Sequence, residues 1–479
     1  MRYICQLGIT LWAGNLLFGQ GISVKTVPLL STDQFSLVPS FRDGMAGVSL
    51  AVPDGLADLF INPGKMDTAK SSEWFMQPKY SHWTFAHETT VRSHNRGFYY
   101  SLEKTNAHSS LLTLPIGVYL QRNKLYSGLM TAVQSLSASG ERSAQFKAGN
   151  YPLCWLAGLR LPSIKSSIGI GLDYVGIRGI DGVYLLYPNA IGLDQRGSAR
   201  QFKVGASMDI GQGDRWNVLA GRYFFNMVQK AVAVTNKDEN NGWLVQTEYV
   251  KKISTPLTLA LMVTMDRRHH PKIPDYPLAG VPRDPGNTQA WNFGLGAKWE
   301  NETSLFGVDL LYEPIDAKTW VDAANDTRIW NGETIAKGVV ILRNDYQFYN
   351  RILRTGFQLK PAPFLTMASG VQLKWYSYNY YQNDLINGME TTGKPQREWT
   401  ETVWSARVGF KTKKIDVGYS LQLQAGMGLL ERQWLWRMLV LEESAMDIAR
   451  ADFFIPPTIP LNVTPVLYYT QRIILRYTF

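Results

Sequence analysis

The chain has 479 residues, of which 18% are charged and 12% aromatic, and its formal net charge is +10. Length alone would suggest roughly three soluble domains of about 150 residues, but few charges beside many Trp, Tyr and Phe point to a surface that meets lipid through aromatic bands. The basic residues are scattered rather than clustered and no aromatic-basic motif accompanies them. This argues against nucleic acid and for phosphate-rich lipid head groups, in an outer membrane the lipopolysaccharide leaflet.

In chain order, Arg2 precedes a short apolar run, Tyr3 to Phe18, which ends in Gly19-Gln20-Gly21. This predicts a cleaved export signal over residues 1–20. No later stretch approaches the roughly 18 to 20 apolar residues of a membrane-crossing helix. Of the two cysteines, Cys5 would leave with the signal and Cys154 would remain, packed in a strand and inert.

Residues 21–72 are expected to form a hatch or plug. Gly44, Ala46 and Gly47 permit close backbone approach, and Asn62-Pro63-Gly64 favours a tight turn. Val48, Leu50, Leu56, Leu59, Phe60 and Ile61 supply apolar packing surface. The stretch Gly44-Met45-Ala46-Gly47-Val48, the acidic Asp54, and Asn62-Pro63 followed by Met66 resemble the N-terminal hatch of the long-chain-fatty-acid transporter family. They also resemble related Bacteroidota barrels, including the shuttle barrel of type IX secretion. Gly64-Lys65 stands where that family usually has Ala-Gly, and Pro53-Asp54 where it has an acidic pair. The resemblance covers Ser40 to Met66; it implies a plugged outer-membrane barrel and places Gly44, Ala46, Gly47, Val48, Asp54, Phe60, Asn62, Pro63 and Met66 in the plug.

From residue 73 to 479 the dominant signal is period-two alternation, which gives a strand two different faces. Gln201, Lys203, Gly205, Ser207 and Asp209 interleave with Phe202, Val204, Ala206, Met208 and Ile210. The pattern returns at 167–175, 289–300 and 414–424, in segments of about ten residues, the span of a tilted membrane strand. Short connections are expected at 122–124, 162–165, 211–214, 252–256, 301–302, 361–363 and 411–413. Between them lie long polar excursions, at 179–199, 226–240, 266–288, 313–343, 378–398 and 426–460. Such asymmetry marks a barrel with tight turns on one rim and surface loops on the other. With 93–103 placed in a tall first hairpin, the fold class is an all-β, transmembrane antiparallel β-barrel of sixteen strands, with fourteen the alternative. The last strand puts Leu467, Tyr469, Ile473, Leu475, Tyr477 and the terminal Phe479 on one face. A last strand of this kind resembles the signal by which outer-membrane barrels are recognised for assembly, and the resemblance implies that Tyr477 and Phe479 carry the signal read by the barrel-assembly machinery.

Inward positions by parity include Asp173, Lys203, Asp209, Glu248, Asp309, Arg354, Lys374, Arg407, Asp416, Arg472 and Arg476. Such an interior is either a wet conduit or a set of charges that pair and fill it. His269-His270 reads as a solvated loop, since adjacent extended residues point apart and make poor joint ligands. Asp322, Asn325 and Asp326 lack the calcium-loop spacing, and Trp434 and Trp436 read as interfacial anchors. No catalytic motif is present, and no enzyme, cofactor or metal is expected. The expected function is passive transport of a small hydrophobic or amphipathic molecule past the plug in the bacterial outer membrane. The competing reading is a non-transporting scaffold for a secretion component, surface lipoprotein or TonB-dependent receptor.

Overall fold

The computed structural model describes residues 37–66, 71–92, 100–139, 146–180, 194–211, 213–231, 234–269, 273–276, 281–283, 286–323, 325–386, 388–391, 397–430 and 463–479. The expected export signal, His270, Trp434 and Trp436 lie outside them.

Sixteen antiparallel crossings close into one barrel. β1 comprises Glu73–Met76 and Lys79–Arg92. It is interrupted at Gln77-Pro78, because proline has no N–H to give to a ladder. The register does not slip there: Met76 faces Leu475 and Lys79 faces Arg472. In sequence order there follow β2 (Tyr100–Arg122), β3 (Leu125–Ser139), β4 (Phe146–Leu161), β5 (Ser166–Ile180) and β6 (Asp194–Gly211). Next come β7 (Asp214–Ala231), β8 (Val234–Lys252), β9 (Leu257–His269), β10 (Asn287–Glu300) and β11 (Ser304–Asp322). β12 (Val340–Ala362), β13 (Leu365–Asp384), β14 (Arg397–Lys411), β15 (Ile415–Leu430) and β16 (Val463–Thr478) complete the ring. Each strand pairs with its sequence neighbours, and β16 pairs with β1. Closure of this kind leaves no strand edge exposed.

All the expected short connections fall on one rim, where the Phe479 amide also bonds the Ser72 carbonyl. The opposite rim corrects the sequence reading. Strands run from 13 residues in β9 to 23 in β2 and β12 rather than about ten. Much of what reads as loop is therefore strand. The excursion at 226–240 is mostly a tall hairpin in which Ala231 faces Val234. Residues 266–269 belong to β9, so His269 sits exposed on a strand facing Asn287 instead of in a loop. Asp322 ends β11, and Asp326 accepts from the Lys337 amide at 3.0 Å in the turn beyond.

The outward face carries Leu114, Leu129, Ile170, Val204, Leu261 and Leu295, all exposed, while their strand neighbours Thr113, Asp173, Lys203, Met262 and Asn292 are buried. In the last strand the alternation is equally clean: Leu467, Ile473 and Phe479 face outward and Tyr468, Thr470 and Arg472 inward.

Candidate functional site in the barrel lumen

Residues 37–66 occupy the lumen at the short-turn end. A 3-10 turn, Phe41–Met45, is started by Ser40, whose hydroxyl accepts the Arg42 amide at 3.1 Å. A short helix, α1 (Gly55–Ile61), begins after Asp54. One polar knot joins the two. Asp54 accepts from the Ser40 hydroxyl at 2.6 Å and the Phe41 amide at 2.9 Å, while Asp58 accepts the Asp54 amide at 2.8 Å and pairs with Arg42 at 2.7 Å. Burial lowers the pKa of Arg42, but Asp58 and Asp54 outweigh that effect and hold it above its ordinary value. A buried guanidinium needs such partners.

The plug is tied to the wall around the ring. The Ser49 and Leu50 amides donate to Asp309, at 2.7 and 3.3 Å for Oδ2, and the Ala46 amide to Ser405 at 2.7 Å. Arg354 donates to the Gly47 carbonyl at 3.3 Å, and Arg476 to that of Pro39 at 2.5 Å. Across the lumen, Lys203 donates to the Phe60 carbonyl at 2.6 Å and pairs with Asp173 at 2.5 Å. Lys65 pairs with Glu248 at 2.7 Å, Asn62 donates to the Val218 carbonyl at 3.0 Å, and Tyr126 donates to that of Pro63.

Apolar contacts fill the remaining seam. Phe60 and Met66 share a buried cluster with Phe75, Tyr126, Met130 and Cys154. Val48 packs with Met45, Val52 and Leu305. The wall is recessed where the plug comes closest: a Cβ at Gly205 would collide with the Asn62 carboxamide and the Gly64 backbone, and one at Gly356 would lie 2.6 Å from Met45 Cβ. Gly44 is equally confined by Arg407 and Ala368, and Gly47 has a φ of +78° that side-chain-bearing residues rarely adopt.

The sequence-derived lumen positions therefore divide into several settings. Asp173, Asp309, Arg354 and Arg476 hold the plug, directly or through a partner. Lys374 pairs with Glu401 at 3.2 Å above it. Asp209 accepts the Gly211 amide at 3.0 Å and so shapes a rim turn rather than the lumen path. Arg407 lies 3.8 Å from Asp416, and Arg472 3.8 Å from Asp43 of the plug. Tyr477 and Phe479 point outward, their rings 6.2 Å apart.

Sequence reasoning missed the tier farther from the short turns. Beyond a polar belt that includes Asn292, Glu313, Asn350, Lys374 and Glu401, the inner wall of β10 to β14 turns aromatic. Tyr346, Phe348, Tyr376, Tyr378, Tyr380 and Trp399 are buried together with Ala290, Ile315 and Ala317. Ring centroids are 4.7 Å apart for Tyr346 and Tyr380, 5.5 Å for Phe348 and Tyr378, and 5.2 Å for Tyr376 and Trp399. The Tyr380 hydroxyl donates to Asn344 at 2.9 Å. At this height the outward alternates are polar: Arg343, Asp345, Gln347, Ser377 and Asn379. The phase of the alternation has inverted, although Tyr346 and Phe348 share the parity of Arg354, and Tyr376 to Tyr380 that of Lys374. Continuing the inward set along β12 and β13 would have found the tier.

No protein-family model and no curated protein matches the chain. Solved structures similar to it include a deletion mutant of the monoaromatic hydrocarbon channel TodX, at 10% identity and a TM-score of 0.44 over 92% of this chain and 99% of that one. A Pseudomonas aeruginosa FadL homologue is similar at 11% identity and 0.42, over 92% and 99%. CdiB from Acinetobacter baumannii is similar at 10% and 0.40, over 85% of this chain and 60% of its own. The likeness is one of barrel architecture.

Chemically, the lumen offers three environments in series. A charge-stitched segment, residues 37–66, lies at the short-turn end, a hydrogen-bonding belt lies above it, and an aromatic arc covers β10 to β14 beyond that. Among the described residues no group of His, Cys, Asp and Glu is arranged to hold a metal ion.

Proposed function

We propose that this chain is a bacterial outer-membrane barrel that passes a small hydrophobic or amphipathic molecule passively, with selectivity set by the plug. Membrane residence is supported by the outward face. Trp216, Trp299, Phe306 and Phe410 ring the short-turn end, and Phe224, Phe293, Tyr312 and Trp404 lie six to eight residues farther along the same strands. That is roughly 20–27 Å of strand, on the scale of a membrane barrel's lipid-facing band.

The observation that carries the transport reading is the inversion of phase. A wall that faces water outside and buries aromatic rings inside has an interior suited to apolar solutes. The test is uptake of a fluorescent naphthylamine probe into liposomes holding the mature protein. Wild type should load the probe faster than protein-free vesicles, and Tyr378→Ala with Trp399→Ala should reduce the rate several-fold while the barrel stays folded. Uptake indifferent to both substitutions overturns the reading.

The density of plug tethers favours a second reading, a permanently closed barrel that serves as a scaffold for a surface lipoprotein, secretion component or TonB-dependent receptor. Mild detergent extraction distinguishes the two: a scaffold brings down a stoichiometric partner and its liposomes remain closed to the probe.

A further inference from the structure

At the seam between plug and wall, β14, β15 and β16 present an unusual inward row. Arg407 faces Ser420 across one ladder and Ser420 faces Arg472 across the next, with Arg476 one inward step beyond Ile474 toward the rim. Arg407 and Arg472 are more than nine-tenths buried, and Ser420 is fully so. The Arg407 guanidinium lies over Gly418, where a Cβ would come within 3.1 Å of Nη2.

The facing carboxylates do not satisfy this row. Asp416 stays 3.8 Å from Arg407 and Asp43 stays 3.8 Å from Arg472, both beyond hydrogen-bond reach, while Asp43 already accepts from Gln77 at 3.1 Å. Glu73 faces Thr478, farther toward the rim. Arg472 spends Nη2 on Gln422 and Arg476 spends Nη2 on the Pro39 carbonyl. Nε and Nη1 of Arg407, Nε and Nη1 of Arg472, Nε of Arg476 and the Ser420 hydroxyl are buried with no hydrogen-bond partner among the described residues. Buried guanidinium donors left unmet are costly, and the groups that meet them best are oxyanions, which accept charge-assisted bonds from several directions.

We infer that Arg407, Ser420, Arg472 and Arg476 form a binding site for a tetrahedral oxyanion, a phosphate ion or a phosphate monoester, at the junction of plug and wall. Four acceptor oxygens suit donors that arrive from three strands better than a planar carboxylate does. The site is separate from the aromatic tier, and binding is read without transport.

The experiment is calorimetric titration of the mature, detergent-solubilised barrel with inorganic phosphate, against chloride at equal ionic strength. Saturable heat with phosphate and none with chloride is expected. Arg407→Gln and Arg472→Gln should each weaken binding by roughly tenfold or more, and Ser420→Ala, which removes no protein hydrogen bond, should fold normally and weaken it less. Lys298→Gln, at a cation already paired with Glu300 near the rim, should change nothing. A parallel titration with a short alkyl phosphate separates the sources: tighter binding identifies the head of an amphipathic ligand, and equal binding the free ion. Equal heats from phosphate and chloride, or phosphate binding retained in the double Arg407→Gln, Arg472→Gln protein, overturn the assignment.

Discussion

The Lys203 ammonium lies 2.5 Å from Asp173 and 2.6 Å from the Phe60 carbonyl, with side chains 2% and 1% exposed for the ionic partners. Lys203→Met removes the cation from a buried carboxylate and a donor from the end of α1. Breaking a buried pair from one side costs about 3–5 kcal/mol, because the remaining charge keeps its desolvation penalty. Replacing both partners by apolar groups of similar volume removes that penalty. The double protein Lys203→Met, Asp173→Leu should therefore recover most of the loss, leaving roughly 1–2 kcal/mol for the unmet Phe60 carbonyl. Urea unfolding in detergent micelles, followed by tryptophan fluorescence and checked by heat-dependent gel mobility, measures both. A single variant within about 1 kcal/mol of wild type, or a double variant no more stable than the single, refutes the reasoning that this pair is buried and joined to the plug.

Gly205→Val drives a side chain into Asn62 and Gly64; limited proteolysis should then cut within 37–66 while gel mobility reports an intact barrel, and unchanged resistance counts against the close approach. Cys154, fully buried beneath the plug cluster, should resist maleimide in the intact protein and react at least about tenfold faster once residues 37–66 are deleted, as expected for a thiol newly opened to solvent. The same deletion should convert an electrically silent barrel into one that conducts in planar bilayers, and silence in both would show that something other than the plug closes the lumen. Deleting Phe479, which is 58% exposed, should leave the unfolding midpoint of purified barrel nearly unchanged yet lower the amount inserted in cells. A matched fall in both would assign the residue to stability instead.

Legibility in the sequence followed the chemistry outside each strand. Where lipid-facing Phe202 and Val204 alternate with Gln201 and Lys203, one rule, apolar outward and polar inward, reads the strand and its register correctly. The rule fails at Tyr376-Ser377-Tyr378-Asn379-Tyr380, because there the outer alternates meet water and the inner ones meet each other. Polar letters on the outer face made this strand resemble a loop, and the same inversion concealed the upper ends of β11 and β12, while at the upper end of β9 both faces are polar, with Asp266 and Arg268 paired inside and Arg267 and His269 exposed. The plug was visible as a segment, through Gly44 to Val48 and Asn62-Pro63, but not as a set of contacts. Nothing local to Asp309 announces that it receives two amides from residues 49 and 50, since that pairing depends on how the ring curves. Likewise Arg407, Ser420 and Arg472 become neighbours only when the register of β14, β15 and β16 is known.

Residues 37–66 precede β1 in the chain, and β1 completes the ring by joining β16. Ring closure therefore joins the strand that follows this segment to one made about 370 residues later. Recesses such as Gly205 and Gly356 fit that segment's contour, the match expected if the wall is laid down against it. Substitutions along 37–66 should accordingly register in how many barrels are completed before they register in what a finished barrel admits.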